Sequence, residues 1–168
     1  MDSTALIASH TIISLVAILT GFVVAFGLLS SRPQGTLALV FLVTTALTSA
    51  SGYLFTRDQV LPSHIVGAIA LAVFAVTAYA LYGARLAGRW RAVYAIGVVI
   101  SLWLNVFVLV AQAFLKIPAL HALAPTGTES PFGIAQALVF ILFVMLALRA
   151  LKRFHQGPAK ALEPAPGI

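Results

Sequence analysis

The chain has 168 residues, of which 61% are hydrophobic and 8% are charged, and its mean hydropathy is +1.07. Soluble domains are roughly 45–50% apolar and about 25% charged, so this composition excludes an ordinary water-soluble domain and favours a membrane protein. The net charge of +6 does not indicate nucleic-acid binding, because the sequence has no basic face with interleaved aromatic residues. Without cysteine, disulfides and thiolate metal ligands are excluded as well.

Five apolar segments are long enough to cross a bilayer, since roughly twenty helical residues span a ~30 Å hydrocarbon layer. Backbone in lipid must satisfy its own hydrogen bonds, so we predict helices and an all-α five-helix bundle. The predicted spans are 4–29, 36–55, 62–82, 91–117 and 131–151, within a single transmembrane domain of residues 1–154. Residues 155–168 are rich in proline and alanine and are predicted to form a disordered tail.

The first segment is predicted to stay in the mature protein as a helix. It lacks the basic start of a signal peptide, because Asp2 is its only early charge, and its apolar run is too long. His10 lies about 9 Å into this helix if the helix begins near Thr4. Ionisable side chains inside membrane spans are candidates for function, so His10 is the first candidate site residue.

The second and third segments add a hydroxyl-bearing face and another histidine. Small and hydroxyl residues follow the 4, 3, 4 spacing of one side of the second helix: Thr45, Ser49, Gly52 and Thr56. Close helix packing alone would explain such a face. His64 opens the third helix just after a proline, which resembles the position of His10 in the first helix.

The fourth segment carries the longest polar pattern. Five polar residues lie 7, 4, 7 and 4 positions apart and share one stripe of the helix: Tyr94, Ser101, Asn105, Gln112 and Lys116. The stripe must face protein or a water-filled space, because an unpaired amide in hydrocarbon costs several kcal/mol. Two interpretations stay open, namely hydrogen bonds between packed helices and the lining of a ligand- or water-filled cavity.

The positions of the basic residues predict an orientation. Eight of the ten Lys and Arg residues lie in the first and third loops or near the C-terminus, against only Arg57 and Lys116 on the other side. The positive-inside rule therefore places the N-terminus outside and the C-terminus in the cytoplasm. Three of the four histidines then belong to the outer side of the membrane: His10, His64 and His121, the last in the fourth loop.

These residues favour a polar ligand site in the outer half of the bundle. The candidate cofactor-binding residues are His10, His64, Asn105 and Gln112. Two neutral imidazoles from separate helices could ligate a haem iron. Another metal needs more ligands, and the candidates are then the three outer histidines, with His121 as the third. A quinone-like or lipid-like ligand would fit the same site, so the cofactor stays open.

Two other classes of function also stay open. A small transporter or channel would line its path with the stripe of the fourth helix, although Tyr94 and Ser101 alone occupy its inner half. An accessory or assembly subunit, or a homodimer, would use the stripe for packing. Because the predicted spans contain no Asp or Glu and the chain has no HExxH or GxSxG motif, no catalytic residue is assigned and a non-enzymatic role is favoured.

A family resemblance rests on two segments, LPSHIVG at residues 61–67 and LNVFVLVAQAFLKIPALHALAPTGTESPF at residues 104–132. Both resemble a group of small, uncharacterised bacterial inner-membrane proteins with five predicted transmembrane helices. The resemblance extends over about residues 10–154 and implies a five-helix membrane fold and a bacterial inner membrane. It implies no activity and no catalytic residue.

The predicted orientation can be tested with alkaline phosphatase, which folds to an active enzyme only outside the cytoplasm. We expect a fusion after the last residue to be inactive, because the basic loops hold the C-terminus inside. A matched fusion placed after Gly127, in the fourth loop, should be active. The opposite pattern of phosphatase activity would contradict the orientation.

Overall fold

The computed structural model describes residues 4–31, 35–55 and 62–154, and these residues form an all-α fold. The helices are α1 (Thr4–Leu29), α2 (Gly35–Gly52), α3 (Pro62–Ala78), α4 (Trp90–Lys116), the short α5 (Pro118–His121) and α6 (Ser130–Arg153). A π-helical turn, Tyr79–Gly83, extends α3. The predicted tail at 155–168 lies outside the described residues, as do Asp2, Thr56 and Arg57.

Five of these helices are long and apolar enough to cross a membrane, which confirms the predicted number of long apolar helices. They are Thr4–Leu29, Gly35–Gly52, His64–Gly83, Trp90–Lys116 and Ser130–Arg153. α2 ends three residues before the predicted limit at Phe55. Its last turn tightens, because Tyr53 N–H donates to Ala50 O at 3.2 Å and Leu54 N–H to Ser51 O at 3.0 Å.

The five long helices form a ring in chain order, with α4 most deeply placed. α1 packs on α2, α2 on α3, α3 on α4 and α4 on α6, and α6 closes the ring against α1. α4 also contacts α1 across the ring. Half of the residues in the most apolar stretch of α4 are buried, compared with 11% in α6. α6 therefore presents most of its apolar surface to the surroundings.

Two glycines allow the close helix contacts at the centre of the bundle. A Cβ atom on Gly21 of α1 would lie 2.7 Å from both Leu102 Cδ1 and Phe41 Cε2, and these two side chains are fully buried. A Cβ atom on Gly97 of α4 would collide with Thr77 Oγ1 of α3. Because both contacts involve buried neighbours, the separation of α4 from α1 and from α3 depends on glycine at these positions.

Long helices that are consecutive in the chain run in opposite directions, so the bundle has two distinct ends. The histidine end contains His10, His64 and His121, and the arginine end contains Arg85, Arg89 and Arg153. At the arginine end Ser31 Oγ donates a hydrogen bond to Arg153 O at 2.6 Å. This bond ties the chain just after α1 to the last residue of α6.

Gly97→Ala should lower the thermal stability of the protein in detergent, because the new methyl group collides with Thr77. We expect a loss of about 1–3 kcal/mol, the usual cost of overpacking a core. Thr77→Ala in the same chain removes the colliding Oγ1 and Cγ2 atoms and should restore part of the loss. The control is Gly133→Ala in α6, where nothing lies within 4 Å of the added Cβ. Equal melting temperatures for Gly97→Ala and wild type would contradict this packing.

Candidate functional site

His10 is oriented by a hydrogen bond between α1 and α2. Its Nδ1 lies 2.8 Å from Ser51 Oγ, and Ser51 Oγ donates to Thr48 O at 3.1 Å. In the tautomer that lets Ser51 Oγ donate to Thr48 O, the oxygen of Ser51 accepts the Nδ1–H of His10. The neutral imidazole then carries its lone pair on Nε2, the nitrogen available to a hydrogen-bond donor or a metal ion.

The surroundings of His10 are aromatic and partly open. The ring of Phe55 meets the imidazole edge-on, with centroids 5.1 Å apart and an angle of 86° between the planes. Lys116, at the end of α4, is near enough for its positive charge to act on His10. The half-buried imidazole therefore packs against the aromatic ring of Phe55 and lies near the basic end of α4.

A row of three hydroxyl side chains on α2, here named the hydroxyl ladder, consists of Thr45, Thr48 and Ser51. Ser51 binds His10, and Thr45 Oγ1 accepts a hydrogen bond from Asn105 Nδ2 at 3.2 Å. Helix rise places Thr45 and Ser51 about 9 Å apart, with Thr48 between them. The ladder therefore connects His10 on α1 to Asn105 on α4.

Thr48 is the unsatisfied member of the ladder, because its Oγ1 is buried and has no hydrogen-bond partner among the described residues. A buried hydroxyl without a partner costs about 1–3 kcal/mol. A water molecule or a polar group of a ligand would remove this cost. Thr48 therefore marks the point between His10 and Asn105 where a further polar atom is needed.

His64 has a different set of contacts from His10. Its ring stacks on Tyr53, with centroids 5.4 Å apart and planes at 27°, and Tyr53 Oη donates to His64 O at 2.6 Å. These contacts join the end of α2 to the start of α3. Both histidines thus lie beside the end of α2, but one is held by Ser51 and the other by Tyr53.

The other predicted site residues lie at the surface. Gln112 and Lys116 of α4 are exposed, and His121 is exposed at the end of α5. Among the described residues no three His, Asp or Glu side chains come together in a group that could hold a metal ion. The structure therefore brings His10 and Asn105 to one ladder, and it does not bring the three outer histidines together as metal ligands.

The polar interior ends near the middle of the bundle. Ser101 lies one turn from Asn105 toward the arginine end, and both Ser101 and Thr77 of α3 are fully buried. Ser101 Oγ has no hydrogen-bond partner among the described residues. Tyr94, the stripe residue nearest the arginine end, packs on Phe154 with centroids 6.0 Å apart. Buried apolar side chains fill this half of the bundle: Val24, Leu28, Ala38, Ala95 and Val98. The polar interior is therefore closed toward the arginine end.

Part of the hydroxyl ladder was not predicted from the sequence. The predicted polar face of α2 contained Thr45, Ser49 and Gly52, whereas the hydrogen-bonded ladder uses Thr45, Thr48 and Ser51. The segment TTALTSASG, residues 44–52, carries hydroxyl groups on several sides of the helix. A spacing of three residues was the available signal, but it does not single out one face in so polar a segment.

The loop at the histidine end is ordered by Glu129, which precedes α6. Its carboxylate accepts hydrogen bonds from Thr126 N–H at 3.1 Å, Thr126 Oγ1 at 2.9 Å and Thr128 N–H at 3.1 Å. Desolvation raises the pKa of Glu129, but these hydrogen bonds together outweigh it and hold the pKa of the carboxyl below its usual value.

Comparisons of the chain with models of protein families, with curated proteins and with solved structures find no match. The candidate site therefore rests on its own geometry. The resemblance to the bacterial five-helix group, noted from the sequence, stays a prediction.

The order of the fourth loop should depend on pH. A carboxyl whose pKa is lowered by folding contributes stability above its unfolded pKa, near 4.5, and loses that contribution as the pH falls through its folded value. We expect the amides of Thr126 and Thr128 to be protected from hydrogen exchange near neutral pH and to lose this protection in acid. The Glu129→Gln variant is the reference for the intrinsic pH dependence of exchange, and its Thr126 and Thr128 amides should be weakly protected at every pH. Equal protection in both proteins near pH 6 would contradict the role of the carboxylate.

Proposed function

We propose that this chain is a multi-pass protein of a bacterial inner membrane that binds a small ligand at its histidine end. Five helices of sufficient length and apolarity support the membrane assignment. The distribution of Lys and Arg supports an N-terminus outside the cytoplasm. In this orientation the ligand site lies in the outer half of the bundle.

The observation that carries the proposal is the hydrogen bond between His10 and Ser51. Because Ser51 holds the Nδ1–H, the Nε2 lone pair of His10 is available to a donor group on a ligand. The buried Oγ1 of Thr48 offers a second polar contact nearby. A ligand with hydroxyl groups on an apolar or aromatic body satisfies both contacts.

A quinol-like molecule fits this description best. Its hydroxyl group donates to His10 Nε2, and its ring lies against the aromatic wall formed by Phe55. A membrane-soluble body enters from the bilayer without crossing the bundle. A bis-histidine haem would need a second axial ligand, and the ring of the other span histidine, His64, is stacked on Tyr53. The quinol-like ligand is therefore better supported than haem.

The closed polar interior argues against a small transporter or channel. A path through the bundle would need polar or open positions beyond Ser101, where buried Val24, Leu28 and Val98 lie instead. The second candidate function is an accessory subunit of a larger membrane complex or a homodimer. The exposed apolar side of α6 favours it, because another membrane helix could pack there.

Binding of a short-chain quinol to the purified protein should depend on His10. We expect His10→Ala to weaken binding by about tenfold or more, because a hydrogen bond in a low-dielectric site is lost. Ser51→Ala should weaken binding less, since it leaves Nε2 in place but removes the group that orients it. Isothermal titration in detergent measures both effects.

His121→Ala is the matched control, because it removes an exposed histidine from the same end of the bundle. Its affinity should equal that of wild type. The proposal would be contradicted if the wild-type protein bound no quinol, or if His10→Ala bound quinol with the same affinity as wild type. A Soret absorption band that disappears in both His10→Ala and His64→Ala would assign the site to haem instead.

A further inference from the structure

A cleft lies at the arginine end of the bundle, away from His10. It is half-open, holds about 240 Å³, and separates the start of α4 from the end of α6. Its lining consists of Gly88, Arg91, Ala92, Ala95, Leu151 and Phe154. This space far exceeds the roughly 30 Å³ of one water and is smaller than the about 300–1,000 Å³ of drug-sized pockets. The cleft therefore suits a group the size of a lipid phosphate with its adjoining carbons.

Arg91 is the charged residue in this lining. Its Nε is buried and has no hydrogen-bond partner among the described residues. A guanidinium stays charged, and burying one of its donors without a partner is unfavourable. Phosphate oxygens match the spacing of Nε and a terminal nitrogen of arginine and form two parallel hydrogen bonds with them. The unpaired Nε thus indicates an anion with paired oxygens.

No described carboxylate is placed to take this role. Within residues 4–31, 35–55 and 62–154 the single acidic residue is Glu129, and it lies at the histidine end, bonded to Thr126 and Thr128. The neighbouring residues Arg89 and Lys152 are basic and exposed. The charge at this end of the bundle therefore attracts anions, and the buried Nε singles out one position for them.

The remaining walls favour a lipid over a free anion. Ala95 and Phe154 are buried and apolar, and Leu151 borders the cleft from α6. Leu148, one turn away on the same helix, is exposed. An acyl chain attached to a phosphate in the cleft can follow these leucines along α6, which has most of its surface uncovered.

We propose that this cleft binds the phosphate group of an anionic phospholipid through Arg91. The guanidinium contacts the phosphate oxygens, the alanines leave room for the headgroup, and an acyl chain lies along α6. The site shares no residue with the histidine-end site, so it does not depend on the ligand proposed there.

The test uses the full-length protein purified in neutral detergent, with phosphatidylglycerol or phosphatidylcholine added in mixed micelles. Native mass spectrometry counts retained lipids, and thermal unfolding reports the stabilisation. We expect wild type to retain phosphatidylglycerol in preference to phosphatidylcholine. Arg91→Gln should reduce that preference by about tenfold, because a bidentate charged contact is lost. Arg91→Lys, which keeps the charge but not the two-point geometry, should restore only part of it.

Arg89→Gln is the matched control, because it removes the same charge from the same end without altering the cleft lining. It should change lipid retention by less than about twofold. Ala92→Leu, at an exposed position of the lining, should fill the cleft and also reduce retention while leaving the protein folded.

Two arms distinguish the source of the phosphate. Inorganic phosphate added without lipid should leave the melting temperature unchanged. If inorganic phosphate raises the melting temperature in an Arg91-dependent way, and wild type shows no preference for phosphatidylglycerol, the lipid assignment is overturned in favour of a soluble anion. Equal loss of retention in Arg91→Gln and Arg89→Gln would show diffuse charge attraction and overturn the site. Equal retention of the two lipids by wild type would overturn it as well.

Discussion

The close approach of α4 to its neighbours is the constraint on which the rest of the structure depends. Gly21 lets α1 contact Leu102 and Phe41 at the centre, and Gly97 lets α4 meet Thr77 of α3. With α4 held there, Asn105 reaches Thr45 on α2, and Ser101 is enclosed. Without water, each polar group in the interior needs a protein partner at a fixed distance. A shift of α4 would therefore disturb the ladder and the apolar half together.

Both candidate sites lie where a buried polar group has no hydrogen-bond partner among the described residues. At the histidine end the ladder satisfies Ser51 and Thr45, but Thr48 Oγ1 has no hydrogen-bond partner in the part of the chain that the structure describes. At the arginine end Arg91 lines the cleft, and its buried Nε has no hydrogen-bond partner among the described residues either. The first group is a neutral hydroxyl, and the second is a cation among alkyl groups. The ligands proposed for the two ends differ accordingly, a hydroxylated molecule at one and an anion at the other.

The sequence predicted the helices well and their mutual rotation poorly. Length and apolarity determine which segments can cross a bilayer, so five long apolar helices followed from composition alone. The stripe on α4 included Asn105, which hydrogen-bonds Thr45 on α2, but it grouped buried Ser101 with exposed Gln112. A stripe defines one side of one helix, whereas burial depends on which neighbours cover each turn. For the same reason the partner of His10 could not be read from α2, where hydroxyl groups occur on several sides.

Because α6 is the last helix to be synthesised, the residues of the two ends become available at different times. α1, α2 and α4 supply the residues of the histidine-end ladder, so this region is complete once four of the five long helices have been synthesised. The cleft at the arginine end has no second wall until Leu151 and Phe154, near the end of α6, have emerged. Ser31 is synthesised early, but the carbonyl of Arg153 that accepts its hydrogen bond is present only when α6 is complete. A nascent chain stalled before its last helix would therefore carry the histidine-end residues while the basic cleft is still half built.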